Sequence, residues 1–172
     1  DIKLNIDTSK VTDMSFMFLG CDGLETLDLS NFNTINLKSA RQMISFCDKL
    51  KTVDASNFDT RNLSDFHSMF CNCDELTTVY INIDFSKAYT DLDLFHSDYL
   101  LTNIVGRFSN IKQSFYIKDC PNLTVDSLMV ILNGLATVTE KRRLSLNRTL
   151  YDSLTPEQIA IATSKGWTVI RN

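Results

Sequence analysis

The chain has 172 residues, 44% hydrophobic and 22% charged, with a formal net charge of −4, a length and balance that imply one ordinary domain with a sizeable core. A mildly acidic chain with no basic stripe among its aromatic residues offers no broad nucleic-acid surface, which needs clustered Lys and Arg. No apolar run is long enough to span a bilayer, no signal-peptide pattern opens the chain, and five cysteines do not resemble a small secreted disulfide framework.

The chain starts with Asp1 rather than Met, and Asn5-Ile6 stands in the register of Asn31-Phe32. It therefore reads as starting at the tail of an earlier repeat. An open repeat end exposes core and strand edges, so an upstream domain, further repeats or a partner chain of the same particle is expected to cover it. Three repeats follow over residues 7–84, with a period of 26. Asp7, Asn33 and Asp59 share a register, as do Thr8, Thr34 and Thr60; Val11, Leu37 and Leu63; and Met17, Met43 and Met69. Phe18, Ile44 and Phe70 follow, then Cys21, Cys47 and Cys73, then Leu24, Leu50 and Leu76. A fixed period of this size marks a solenoid in which each unit buries its apolar side against the next.

Inside each unit, Val11, Met14, Met17, Phe18 and Cys21 recur every three or four residues, which predicts a helix face capped by Thr12. Leu27 and Leu29 then alternate with Asp28 and Ser30, which predicts a short strand. Each coil thus reads as helix, turn, strand, with successive strands parallel.

The period lapses after Asp84. Residues 85–113 read as an enlarged irregular coil, and residues 114–172 as divergent coils and a cap. Strands are expected at "SFYIKDC" from Ser114, "RLSL" from Arg143 and "WTVI" from Trp167. "LTVDSLMVILNG" predicts a helix with Thr124 as N-cap and Gly134 just past its end. "LTPEQIAIATSKG" predicts another, with a Thr155/Gln158 capping box, Pro156 in the first turn and Gly166 at the stop. The fold class expected is α/β: a leucine-rich-repeat-like solenoid of about six helix–strand coils, with a parallel sheet on one face.

The stretch "VTDMSFMFLGCDGLETLDLSNF" (residues 11–32) resembles the BspA-like leucine-rich repeats almost letter for letter. "LSDFHSMFCNC" (residues 63–73) follows the pattern in part, and "KSARQMIS" departs from it. The tail from "LTVDSLMVILNGL" to "LTPEQIAIATSKGWTV" looks like C-terminal coils of tail-associated proteins in phages and prophages of Gram-positive bacteria. The resemblance implies binding to a surface or macromolecule without catalysis.

Chemistry-bearing residues point the same way. Cys21, Cys47 and Cys73 form a column that reads as buried thiols. His67, Cys71 and Cys73 match no zinc spacing. A Cys with His67 or His96 lacks any nucleophile-elbow context, there is no phosphate-cradling glycine loop, and no carboxylate spacing selects a glycosidase pair. No catalytic residue, metal site or cofactor is assigned. Asn62, Asn122 and Asn147 open glycosylation sequons.

The outward strand positions follow by alternation. Thr26, Asp28 and Ser30 form one row, Thr52, Asp54 and Ser56 the next. The later rows are Thr78, Tyr80 and Asn82; Ser114, Tyr116 and Lys118; and Arg143, Ser145 and Asn147. Aromatic and Arg side chains anchor interfaces, and Tyr suits sugars. Tyr89 and Tyr99 either join this surface or pack the irregular coil. The candidate ligand-binding residues are Tyr80, Asn82, Tyr116, Lys118 and Arg143, with Tyr80 and Tyr116 on a shared face. The expected function is recognition of a cell-surface glycan or protein by a phage or prophage tail or a surface-exposed bacterial protein, extracellular or on a virion. Nucleic acid and membrane insertion are not expected. Two other readings are an adhesin domain that binds host protein and a rigid spacer or assembly contact.

Overall fold

A computed structural model describes residues 2–4 and 6–172, so the register assigned to Asn5 lies outside the described residues. Residues 26 apart lie side by side. In β2 (Thr26–Asp28) and β3 (Thr52–Ala55), Thr26 pairs with Thr52, Leu27 with Val53 and Asp28 with Asp54. The next strand, β4 (Thr78–Asp84), continues the parallel register with Val79 beside Val53. On the other edge β1 (Ile2–Lys3) pairs with β2. Leu27, Val53 and Val79, then Leu29, Ala55 and Ile81, are buried, as alternation requires.

The helix expected in each repeat is absent. Residues 14–24 form successive turns in which Met17 N–H donates to Met14 O (3.2 Å), Cys21 to Phe18 (3.2 Å) and Leu24 to Cys21 (3.0 Å). Apolar residues every three or four positions return inward in this chain of turns as they would on a helix face, so the sequence pattern cannot separate the two. The backbone N–H groups decide. Met14, Phe16, Phe18 and Gly20 donate to Ser39, Arg41, Met43 and Ser45 of the next unit at 2.8–3.0 Å, and Asp13, Ser39 and Asp65 form parallel bridges. Each repeat therefore carries a ladder on its turn side as well as its strand side. Ladders run at a spacing of about 4.8 Å, and a helix about 10 Å across does not fit in a stack held to that spacing on both sides.

This turn ladder imposes left-handed backbone on side chains that rarely adopt it. Phe16 (φ 63°), Gln42 (47°) and Phe46 (57°) all have positive φ, a conformation costing on the order of 1–3 kcal/mol for such residues. Each of them donates its N–H to the neighbouring unit (2.9–3.0 Å), so stacking offsets the local cost. Met43 and Met69 are fully buried, but Met17 in the same register is exposed, together with Phe16 and Leu19.

The period also persists further than the sequence suggested. Residues 85–113 are not simply irregular: β5 (Asn103–Ser109) pairs along its whole length with β4, Thr78 beside Asn103 and Tyr80 beside Val105, one residue short of the repeat. Gly106, at φ 145°, allows this close approach, since a Cβ there would lie 2.0 Å from Ile81 O. The five-stranded sheet ends at β5. The helix α1 (Val125–Gly134) packs against it, with Ser127 Oγ accepting from Ile104 N–H (2.9 Å).

The later strands build a second sheet. β6 (Phe115–Tyr116), β7 (Arg142–Leu146) and β8 (Trp167–Arg171) are parallel in that order. Leu92 bridges to Phe115, and its segment continues the turn ladder through Phe70 N–H to Leu94 O (2.9 Å) and Asn72 N–H to His96 O (2.9 Å). The second sheet thus prolongs the turn side of the stack, and the expected single sheet on one face is corrected to two. Between β7 and β8 lie α2 (Arg148–Asp152) and α3 (Pro156–Thr163). Thr124 caps α1, and Thr155 and Gln158 form the capping box of α3. Gly134 falls inside α1 rather than past it, where a Cβ would meet Phe108 at 2.8 Å; close packing against β5 is the constraint there.

Candidate ligand-binding faces

The outer face of the five-stranded sheet holds the first candidates. Tyr80 is 39% exposed and lies beside Val105, 45% exposed, on the neighbouring strand. Asn82 lies beside Arg107, but its amide is engaged at both ends: Nδ2 donates to Ser56 O (3.0 Å) and Oδ1 accepts from Arg107 N–H (2.9 Å). It is a rung between strands, like Asn57 on Ser30 O (2.7 Å). An open groove of about 870 Å³ runs alongside, lined by Asp59, Arg61, Asp84 and Arg107. Arg61 is bound to Asp59 (2.6 Å), which holds the Asp59 carboxyl below the usual carboxylate range. The Arg107 side chain is exposed, with no partner among the described residues.

Tyr116 and Arg143 lie on the other sheet and Lys118 in the turn after β6, so Tyr80 and Tyr116 do not share a face as the alternation had suggested. The rows Ser114/Arg143 and Tyr116/Ser145 are adjacent as read. There a hollow of about 540 Å³ is lined by Asp91, Ser114, Tyr116, Lys141, Arg143 and Thr168, among others. Asp91, itself exposed, links two of the lining residues: one carboxylate oxygen accepts from Ser114 N–H (3.1 Å) and the other from the Tyr116 hydroxyl (3.3 Å). Arg142 pairs with Glu140 (2.6 Å), while the Lys141 and Arg143 side chains have no partner among the described residues. Lys118 is exposed, its carbonyl accepting from Asn147 Nδ2 (3.0 Å). Tyr89 and Tyr99 are 65% and 53% exposed, so they do not pack the coil.

Sequence reasoning missed Val105, Arg107, Asp91 and Lys141. Val105 and Arg107 flank Gly106, which breaks the alternation and hides the strand, although a glycine inside a strand pattern signals close backbone approach. Asp91 was within reach, being one further period along from Asp13, Ser39 and Asp65. Those three accept from the backbone two residues on, at Ser15, Arg41 and His67; Asp91 binds the next coil instead.

All five cysteines are free thiols. Cys47, Cys73 and Cys120 donate to the carbonyls of Phe18, Ile44 and Phe95 at 3.1–3.2 Å. In each unit the column position accepts an N–H from the leucine three residues on, and the series runs Cys21, Cys47, Cys73, Asp98, Cys120. Asp98 therefore sits in a thiol column. One of its oxygens accepts from Cys73 N–H (2.8 Å), and the other is buried with no partner among the described residues. Burial pushes its pKa well above the usual carboxylate range. Burial likewise pushes the Cys71 thiol up to about 12, which keeps it protonated. His96 lies 3.0 Å from Asp119 and 3.4 Å from Asp93. Among the described residues, no group of three His, Cys, Asp or Glu is placed to hold a metal ion, and no helix is long and apolar enough to cross a membrane. The sequon residues Asn62, Asn122 and Asn147 each donate their amide to a neighbouring coil's carbonyl at 2.8–3.0 Å, so a glycan there would remove a rung.

A family model described as Mycoplasma protein of unknown function, DUF285, matches residues 2–104, the stretch from β1 into β5. No curated protein and no solved structure matches the chain.

Proposed function

From a chain that belongs to the DUF285 family, we propose a non-enzymatic binding module that recognises a cell-surface ligand, glycan or protein. The whole chain is then a continuous BspA-like solenoid of six coils, carried outside the cell on a bacterial surface protein or a phage or prophage tail. The observation behind this reading is the pair Tyr80 and Val105, side by side and exposed on a strand ladder, with Arg107, which has no side-chain partner among the described residues, one row away. An exposed aromatic beside an exposed aliphatic and an Arg is the composition of an interface anchor, and strands hold it without the entropy cost of ordering a loop on binding. Tyr116 and Arg143 supply a second contact set on the other sheet.

The test is binding of the labelled chain to whole bacterial cells, stripped cell wall and host matrix proteins, in parallel with Tyr80→Ala and Tyr116→Ala. Saturable binding to cells or wall, weakened in the variants, supports recognition. Binding to matrix protein alone moves the reading to an adhesin, and absence of binding to all three refutes it.

A further inference from the structure

We propose that the hollow on the three-stranded sheet binds an acidic sugar, a unit that carries a carboxylate beside free hydroxyls. This rests on the reading of the chain as a cell-surface binding module and names its ligand class. The first observation is a charge division hidden by the net value. Of 17 Lys and Arg and 21 Asp and Glu, residues 105–172 hold nine and five, leaving eight and sixteen in residues 1–104. The C-terminal part is cationic on an acidic chain, and Lys141 and Arg143 place part of that charge at the hollow. Guanidinium and ammonium groups donate hydrogen bonds and accept none, so unpaired they call for an anionic acceptor.

The second observation fixes what else the ligand must carry. The single hydroxyl proton of Tyr116 is directed to Asp91 (3.3 Å), which leaves the phenolic oxygen as an acceptor. The exposed Asp91 carboxylate beside it accepts only. The Tyr116–Asp91 side of the hollow therefore asks for donors, while Lys141 and Arg143 ask for an anion. A neutral sugar satisfies the first alone. The phosphodiester backbone of DNA, which carries no hydroxyl, satisfies the second alone, and its proton-free oxygens are repelled by Asp91. An acidic sugar meets both, with its carboxylate at Lys141 and Arg143, a hydroxyl donating to Tyr116 or Asp91, and a ring face against the half-buried Tyr116 ring. The geometry is preorganised, because Asp91 ties Tyr116 to the adjoining coil through Ser114 N–H as well (3.1 Å).

Titration calorimetry of the whole chain with polygalacturonate, dextran and a single-stranded DNA oligonucleotide tests this. The expected result is binding to polygalacturonate that weakens with salt and no binding to dextran. Replacing the charges (Lys141→Gln with Arg143→Gln) should weaken it by about tenfold or more, and Tyr116→Phe, which keeps the ring and loses the acceptor, by several-fold. Thermal melts verify that the variants fold. The proposal is overturned by equal affinity for dextran, by no binding to polygalacturonate, by variants that bind as wild type, or by DNA binding as tightly through the same residues. Loss of polygalacturonate binding with retained cell binding defeats the ligand class alone. The reverse pattern defeats the cell-surface reading and leaves the acidic-sugar site standing.

Discussion

Thr34 is 1% exposed, and its hydroxyl makes two bonds to one residue of the next coil: it accepts from Asp59 N–H (2.7 Å) and donates to Asp59 O (3.2 Å). Thr8 does the same for Asn33, and Thr60 accepts from Asp84 N–H, so the threonine register is a column of staples between coils. Valine at position 34 keeps the volume and leaves two backbone groups of Asp59 without partners in a part-buried site. Each costs about 1–1.5 kcal/mol net, so Thr34→Val should lose roughly 2–3 kcal/mol. For a domain of this size that is a fall in Tm of about 5–10 °C. Thr34→Ser retains both bonds and loses one buried methyl, at a cost of about 1 kcal/mol. Thr60→Val, with one bond at stake among the described residues, should fall between. Urea denaturation followed by circular dichroism, with unchanged m-value, gives the comparison. If valine at 34 costs no more than serine, the staple does not hold the coils together and the reasoning fails.

Asp98→Asn should stabilise the fold increasingly as pH rises. The folded carboxyl holds its proton above the pH at which the unfolded one releases it, so its burden is absent below about pH 4 and grows by up to ~1.4 kcal/mol per pH unit as pH rises toward the folded pKa. Carboxyls held low by partners, such as Asp59, act in the opposite sense but equally in both proteins. Urea melts from pH 4 to 8 showing a constant difference between variant and wild type would contradict a neutral Asp98. Gly106→Ala places a Cβ 2.0 Å from Ile81 O at φ 145°, so β4–β5 pairing must yield, at a cost of about 3 kcal/mol or more. Hydrogen exchange confined to residues 103–109 and their partners in β4 is the expected signature, and wild-type protection there would refute it. Tyr80→Ser, on an exposed position, should shift stability by less than about 1 kcal/mol while weakening cell binding; a cooperative loss of fold instead would make Tyr80 a core residue.

Much of the fold was legible in the chain itself. The repeat register named the neighbours across β2, β3 and β4, the alternation named their buried sides, and the Thr155/Gln158 and Thr124 signals marked real helix starts. The sites were less legible. The rows Ser114/Arg143 and Tyr116/Ser145 were readable as neighbours because the strands pair in that register, although Ser114 and Ser145, expected outward, are buried. Arg107 was lost because Gly106 interrupts its strand. Asp91 was lost because its partner, Tyr116, belongs to another coil. Asp98 was invisible as a column member because the residue type changed where the period shortened by one.

What the sequence determined by itself is therefore whatever neighbouring residues record: the period, the inward set, the caps. Tertiary structure alone decided turns against helix, two sheets against one, the separation of Tyr80 from Tyr116, and the pairing of Asp91 with Tyr116. The physical reason is common to all four. Each depends on where a backbone N–H or a carboxylate finds its partner, and here that partner lies a whole coil away, where apolar spacing along the chain carries no information about it.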